Sequence, residues 1–156
     1  MSTDRIDVAR RAWANAKPGH LIGRGHPIGD FLEAHEWRVL EEHKGYMRVQ
    51  AHLPKHVCNL WDQLFGGFTG TYVDFVGLHT VRAGSDRLRD WSYRLATTSM
   101  RIDYFEPVVG PYFVLESRLL KERGRTCFAE VRFLDAAGHL SVLAAVTMRK
   151  LPLATA

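Results

Sequence analysis

Residues 64–83 read LFGGFTGTYVDFVGLHTVRA, a largely apolar run with one carboxylate, Asp74, near its centre. The apolar side chains leave no wide polar face at helical spacing, which predicts a single helix buried on nearly every side. Glycine weakens a helix interior by roughly 1 kcal/mol relative to alanine, so Gly66, Gly67 and Gly70 indicate close backbone contact or a bound ligand. The carboxylate also needs a partner or a function, because taking a charge out of water is costly.

Strand-like periodicity flanks this helix on both sides. Residues 37–43 and 46–53 alternate about Lys44 and Gly45, which predicts a β-hairpin with a two-residue turn. Consecutive strands joined by short turns are expected to pair antiparallel, and residues 141–148, apolar on both faces, are expected well inside the sheet. Further strands are predicted, after a polar loop at residues 83–90, at residues 97–105, 111–123, 125–135 and 139–151. A curved antiparallel sheet wrapped around one long helix satisfies this order, so we predict an α+β chain with the hotdog fold.

The N-terminal part has a different pattern. Residues 3–16 carry apolar side chains at helical spacing, Trp13 among them, and predict a short helix. A loop rich in glycine and proline follows at residues 17–30. Asp30, at its end, is expected to cap a second short helix over residues 31–35.

Length and composition suit one soluble domain. The chain has 156 residues, nearly half of them hydrophobic, and a formal net charge of +4. We expect one hotdog domain over residues 36–156, preceded by an extension over residues 1–35. The arginines are scattered, which argues against nucleic-acid binding. No apolar run approaches a membrane span and the N-terminus lacks a signal-peptide core, so we predict a cytoplasmic protein that binds no membrane.

Metal and disulfide chemistry are not expected. Cys58 and Cys127 show neither metal-ligand spacing nor a disulfide framework. His52 and His56 are separated by Pro54, which keeps them from sharing one helix face as a ligand pair would. We therefore predict no metal site and reduced thiols.

An ordered set of polar and glycine residues surrounds the start of the long helix. Asn59 is followed six residues later by Phe65-Gly66-Gly67, and Asp74 lies nine residues beyond Phe65. This series resembles the signature of the PaaI-type acyl-CoA thioesterases of the hotdog superfamily, which are related to the 4-hydroxybenzoyl-CoA thioesterases. The likeness extends over residues 36–150, including TTSMRIDYFEPVVG and the two closing strands. The family usually carries histidine where this chain has Phe65, and glycine where it has Asp62.

The resemblance implies an enzyme that hydrolyses the thioester of a small aryl or medium-chain acyl-CoA. In that family the helix carboxylate and a glycine N–H carry the central roles, which here fall to Asp74 and Gly66. Asp74 would be the general base or the nucleophile, and the Gly66 N–H at the positive end of the helix would polarise the carbonyl. Asn59 would hold the thioester or the water, and Thr97 would orient the water beside Asp74. Substrate-binding roles are further implied for Phe65, Gly67 and Thr98. On charge alone, Arg101, Arg123 and Arg125 are candidate partners of the coenzyme A phosphates. No separate cofactor is implied, because coenzyme A is part of the substrate.

The spacing of the two central residues predicts an oligomer. Asp74 lies eight residues beyond Gly66, which separates them by about 12 Å along one helix. They cannot act on the same carbonyl within one protomer. The site is therefore expected to straddle the two-fold interface of a homodimer, alone or within a tetramer of two dimers.

Simpler interpretations stay open for each of these residues. Asp74 can be a structural hydrogen-bonding group, Asn59 a turn residue and Thr97 an ordinary strand residue, while the glycines suit close helix packing. A non-catalytic hotdog module that binds acyl-CoA or a lipid-like ligand is the main alternative function, since Phe65 replaces histidine. A hydratase is disfavoured, because the histidine of the long helix, His79, lies on a different face from Asp74.

Overall fold

Over residues 3–84 and 91–153, the part that this computed structural model describes, the chain forms one sheet and one long helix that packs against it. The helices are α1 (Thr3–Ala14), α2 (Pro27–Phe31) and α3 (Gly66–Val81), with short 3₁₀ turns at Ala34–Glu36 and Lys55–Val57. The strands are β1 (Arg38–His43), β2 (Tyr46–His52), β3 (Tyr93–Tyr104), β4 (Tyr112–Arg123), β5 (Thr126–Leu134) and β6 (Leu140–Pro152). The predicted α+β architecture with one central helix is confirmed. Most of the polar loop predicted at residues 83–90 lies outside the described residues.

The six strands pair antiparallel in the order β1-β2-β4-β5-β6-β3. The predicted β1–β2 hairpin is confirmed, and β6 lies between β5 and β3 as its two apolar faces predicted. The expectation that consecutive strands pair is wrong for β3 and β4. Residues 105–111 carry the chain across the start of α3, where the Leu64 N–H donates to Val108 O at 2.9 Å. This crossover places β3 at the far edge of the sheet.

Helix α3 is shorter than its predicted span of residues 64–83. It begins at Gly66 because the preceding residue, Phe65, is extended and donates its N–H to Val57 O at 2.9 Å, and it ends at Val81. Its core face packs on the sheet through Tyr72, which is fully buried and stacks on Trp37 with ring centroids 5.5 Å apart. Aromatic stacking of this kind fills the space between sheet and helix.

The expectation that α3 is buried on nearly every side is wrong in two places. Gly66 and Gly67 are exposed at the helix start, and Asp74 is half-buried. The side of α3 that carries Asp74 faces a cavity instead of packed side chains. The carboxylate therefore keeps contact with solvent-filled space, which lowers the cost of its charge.

The N-terminal segment packs into the same core as the sheet. Ala12 of α1 is 1% exposed, and Leu32 and Ala34 are fully buried. The predicted helix over residues 31–35 is wrong: α2 begins at Pro27, and His26 caps it by accepting from the Gly29 N–H at 3.1 Å. Proline suits the first turn of a helix because it needs no N–H partner there. Within the described ranges, no helix is long and apolar enough to cross a membrane.

Candidate active site

Asp74 and Thr97 meet between α3 and the edge strand β3. The Thr97 hydroxyl donates a hydrogen bond to Asp74 Oδ1. The pairing of β3 with β6 shifts register between Thr97 and Ser99, so Thr98 is the extra residue of a β-bulge. Bulges commonly re-aim a side chain next to a functional site. The predicted juxtaposition of Asp74 and Thr97 is therefore present in the structure, and its catalytic role stays a prediction.

A cavity of about 550 Å³ opens beside this pair. Asp74 and Thr97 form part of its wall, and most of the remaining wall is apolar or aromatic. Cavities of this size and character are typical of small-molecule sites. The residues that complete the wall belong to α1, α2, α3 and β3 or lie next to the ends of these elements: Ala9, Trp13, His26, Ile28, Gly70, Thr71, Phe75, Leu78, His79, Arg82, Trp91, Arg94, Leu95 and Met100.

The start of α3 presents backbone groups to solvent. Gly66 and Gly67 are the first two residues of the helix and both are exposed. The first N–H groups of a helix have no acceptor inside it. The Phe68 N–H donates to Phe65 O at 2.9 Å, whereas those of Gly66 and Gly67 have no backbone acceptor among the described residues. Tyr104, at the end of β3, donates from its hydroxyl to Gly66 O at 2.8 Å. The N–H groups of Gly66 and Gly67 therefore point to no partner among the described residues, and the predicted roles of both glycines toward a substrate stay predictions.

Phe65, in the place of the family histidine, covers one side of this helix start. Its side chain is 53% exposed, and its ring lies edge-on to Phe68 with centroids 5.9 Å apart. A Cβ added at Gly67 would lie 3.1 Å from the Phe65 ring. The ring therefore rests on the Gly67 backbone, and glycine leaves it the room to do so.

Asn59 organises the loop that leads into α3. Its side-chain Oδ1 accepts from the N–H groups of Trp61 at 2.9 Å and Gln63 at 3.1 Å. Asp62 in this loop has φ of 56°, a left-handed conformation that glycine adopts more readily. The structure thus gives Asn59 the local turn role that the sequence left open, and its amide NH₂ is the group that remains for a ligand.

The three arginines predicted to bind phosphates do not converge. Arg101 lies on β3 and pairs with Asp103, Nε to Oδ2 at 3.1 Å. Arg123 and Arg125 flank Gly124 at the exposed β4–β5 turn. Arg123 pairs in register with Thr126, and its side chain is exposed. Within one protomer these cations form no common phosphate site.

Sequence analysis did not assign α1 and α2 to the site. Trp13 was recognisable at an apolar helix position, but its place beside the cavity depends on how α1 packs across α3. The His26 ring lies 5.7 Å from Phe75 and lines the cavity. Burial lowers the pKa of His26 below 6.5, against the opposing effect of nearby Asp30. Its cap hydrogen bond, in which Nδ1 accepts, also requires a ring nitrogen without a proton.

The family model of the thioesterase superfamily matches residues 63–142, from the loop before α3 into β6. The chain belongs to the thioesterase superfamily. The matched segment contains Gly66, Asp74 and Thr97. The predicted family and class of enzyme, a thioester hydrolase, are confirmed. No curated protein matches the chain.

Solved structures of thioesterases have the same fold. Thioesterase superfamily member 2 from Mus musculus is 16% identical, with a TM-score of 0.67, and the match covers 97% of this chain and 99% of that one. A hypothetical thioesterase protein from Streptococcus pneumoniae, solved with coenzyme A, is 15% identical with a TM-score of 0.65, over 77% of this chain and 92% of that one. A phenylacetic acid degradation-related protein from Ralstonia eutropha is 17% identical with a TM-score of 0.66, over 78% and 88%. These likenesses confirm the hotdog fold.

Proposed function

We propose that this thioesterase-superfamily protein hydrolyses the thioester of a small aryl or medium-chain acyl-CoA. The observation that carries the proposal is the Thr97–Asp74 hydrogen bond at the wall of a largely apolar cavity. A held carboxylate beside an apolar cavity offers both a base and a place for an acyl group. Two proteins of related fold support an acyl-CoA ligand: one from Streptococcus pneumoniae was solved with coenzyme A, and one from Streptococcus mutans was solved with acetyl-CoA.

In the proposed reaction, Asp74 acts on the thioester carbonyl carbon. As general base it takes a proton from water while the water oxygen bonds to that carbon; as nucleophile its own oxygen forms the bond and water later cleaves the acyl-enzyme anhydride. The negative charge on the carbonyl oxygen is stabilised by the Gly66 N–H at a helix start. The carbon–sulfur bond then breaks and the coenzyme A thiolate leaves. It takes up the proton that Asp74 removed from water or, in the nucleophile route, a proton from solvent. Thr97 holds the carboxylate, and Asn59 is the candidate to hold the thioester or the water.

The two halves of this site are proposed to come from two protomers. Gly66 and Asp74 are about 12 Å apart along α3, too far to reach one carbonyl. The twelve-residue strand β3 is a sheet edge whose outer side pairs with no described strand. An edge of that length invites pairing with a second copy. A two-fold dimer, alone or within a tetramer, would use this edge and bring Gly66 of one protomer toward Asp74 of the other.

Hydrolysis of a panel of acyl- and aryl-CoA thioesters, followed by thiol release, tests the activity. We expect Asp74→Ala to lower kcat/KM by roughly 10²–10⁴-fold, the usual contribution of a general base. Glu130→Ala, which removes a carboxylate from the outer face of β5 where it pairs with Arg132, is the control and should keep full turnover. Full turnover in a folded Asp74→Ala would refute the assigned mechanism.

Mixing two inactive variants tests the shared site. Gly66→Pro removes the N–H that polarises the carbonyl, while proline is well tolerated as the first residue of a helix, and Phe65 before it is already extended. Alone, Gly66→Pro and Asp74→Ala should both be inactive. After co-refolding in equal amounts, roughly a quarter of wild-type activity should return, because each mixed dimer has one intact site. If mixed dimers form but no hydrolysis returns, Gly66 and Asp74 of the same protomer would have to serve one site, and the shared-site proposal would be wrong.

The exposed Phe65 at the helix start favours one second candidate, a module that binds acyl-CoA without hydrolysing it. A phenyl ring supplies neither the hydrogen-bond donor nor the proton carrier that histidine would supply there. Calorimetric binding of a non-hydrolysable acyl-CoA thioether, with no thiol release from any thioester of the panel, would favour this candidate. Phe65→His should then introduce measurable hydrolysis that depends on Asp74.

A further inference from the structure

The cavity beside Asp74 is elongated along α3. Its wall extends along α3 from Gly70 to Arg82, the residue that caps the helix. These two residues are twelve positions apart, which corresponds to about 18 Å along a helix. Asp74 lies about one turn from the Gly70 end. The opposite end is aromatic, where the Trp13 ring lies 5.5 Å from His79 and 5.1 Å from Trp91. A group attached to a carbonyl at Asp74 would therefore extend along α3 toward these rings.

Helix α1 forms the outer wall at this aromatic end. Ala9 and Trp13 both line the cavity, and their spacing of four places them on one helical face. The helix is held close to the core: Ala12 is 1% exposed, and its carbonyl accepts from the Gly23 N–H at 2.7 Å. A Cβ at Gly23 would lie 2.7 Å from Asn15 O. The wall is thus fixed in place by a close backbone contact that needs glycine.

The chemistry of this end suits an uncharged, apolar group. The guanidinium of Arg82 is already engaged, donating to Tyr93 O at 3.0 Å and lying over the rings of Trp91 at 5.4 Å and Tyr93 at 4.5 Å. The His79 Nδ1 bonds to Phe75 O at 2.8 Å. The Arg82 guanidinium and His79 Nδ1 are thus bonded to the protein, whereas the buried indole N–H groups of Trp13 and Trp91 have no partner among the described residues. The faces of these indole rings favour contact with an aryl or alkyl surface.

We propose that α1 is the end wall of the acyl site, and that Trp13 and Ala9 set the length of the acyl group that fits. This inference rests on the proposed thioesterase function and makes the N-terminal extension part of the specificity machinery. The acyl tail packs against the Trp13 ring, with the thioester carbonyl at Asp74. Removing ring volume at Trp13 admits longer tails, and adding side-chain volume at Ala9 excludes them.

Two pairs of variants with matched controls on the same helix test this wall. Ala9→Leu adds atoms to open space and should move the best acyl-CoA substrate toward shorter chains, with kcat/KM for the longest wild-type substrate falling at least about tenfold. Ala14→Leu, at an exposed position of α1 outside the cavity wall, should keep the wild-type profile. Trp13→Ala should move the profile toward longer chains, whereas Arg11→Ala, also exposed, should not.

Binding separates failure of this inference from failure of the proposed function. Affinities for a series of non-hydrolysable acyl-CoA thioethers are measured on all five proteins, with the far-UV circular dichroism of each. Opposite shifts in chain-length preference for Ala9→Leu and Trp13→Ala would support the wall even if wild type hydrolysed nothing. Unchanged preference in a folded Ala9→Leu, in both hydrolysis and binding, would overturn it. Loss of structure in Trp13→Ala leaves Ala9→Leu to decide.

Discussion

The Thr97 hydroxyl donates a hydrogen bond to Asp74 Oδ1, and this contact joins the edge strand β3 to the middle of α3. Within the described ranges, no hydrogen bond reaches the second carboxylate oxygen of Asp74, so Thr97 holds one oxygen and leaves the other without a protein partner. The β-bulge at Thr98 turns Thr97 toward the helix. The bulge and the bond together orient the only carboxylate that lines the cavity among the described residues.

We predict that Thr97→Val lowers kcat/KM by roughly 10- to 100-fold, because a hydrogen bond to a charged group contributes about 1.5–3 kcal/mol. Valine keeps the shape and the strand preference of threonine and removes only the hydroxyl. Thr97→Ser should retain most activity. Thr126→Val, at an exposed strand position, is the control; equal turnover in the Thr97 and Thr126 valine variants would show that the bond is structural.

The buried hydroxyl of Tyr72 should make the stability of the protein decline at alkaline pH. Burial raises the pKa of Tyr72 well above its usual value of 10.0, and its hydroxyl donates to His52 O at 3.0 Å. In the unfolded chain the Tyr72 hydroxyl ionises near pH 10, whereas in the folded chain it keeps its proton at that pH. The contribution of Tyr72 to the free energy of unfolding is therefore maintained below pH 10 and declines above it. Tyr72→Phe should cost about 0.5–1.5 kcal/mol at pH 7 and reduce the alkaline slope. Urea unfolding at pH 7, 10 and 11 measures both, with Tyr112→Phe, half exposed, as control.

His26 predicts an acid-sensitive N-terminal segment. Its pKa is lowered by burial, so below about pH 6.5 the unfolded state binds a proton that the folded state resists. Stability is therefore fully present above that pH and declines as the pH falls. His26→Asn keeps an oxygen that can cap α2 and should flatten the dependence between pH 7 and pH 5. An unchanged slope in a folded His26→Asn would contradict the assignment.

The close backbone contact at Gly23 should determine how firmly α1 is held against the rest of the protein. An alanine Cβ at this position would lie 2.7–2.9 Å from carbonyl groups of Asn15 and Ala12, which are backbone and cannot turn away. Gly23→Ala should therefore destabilise the protein by roughly 1–3 kcal/mol and loosen α1 from the cavity. Faster hydrogen exchange at Ala12 and Trp13 would report the loosening. Gly25→Ala is the comparison variant, because a Cβ there meets open space while φ is 107°. Its loss of stability measures backbone strain alone, without a clash.

Periodicity and spacing predicted most of the fold. Strand alternation located the hairpin and the later strands, and the apolar run located α3, because these patterns reflect local burial. The position of β3 at the far edge was not predictable from adjacency, since it depends on a crossover held by Leu64 and Val108. The start of α2 was missed because Asp30 looked like a cap while His26, a weaker cap by type, performs that role.

The candidate site was predicted in part. The pairing of Asp74 with Thr97 followed from the resemblance and is present. The cavity wall from α1 was not predicted, because side chains such as Trp13 and Ala9 reach it only through tertiary packing across α3. The arginines were proposed from charge alone, and charge carries no information on where exposed side chains converge. Asn59 shows a turn role that its residue type had left open.

The crossover between β3 and β4 also sets the order in which the protein assembles. Strand β3 is synthesised before β4, β5 and β6, but its strand partner is β6, with Thr97 opposite Met148. During synthesis, β3 cannot pair with β6 until nearly the whole domain has emerged. Contacts between residues so far apart in sequence form late and slowly. Thr97, which hydrogen-bonds Asp74, therefore lies on a strand that is among the last to be fixed in the sheet. A nascent chain stalled before β6 would carry the helix carboxylate without its fixed partner, so this domain gains its candidate chemistry only on completion.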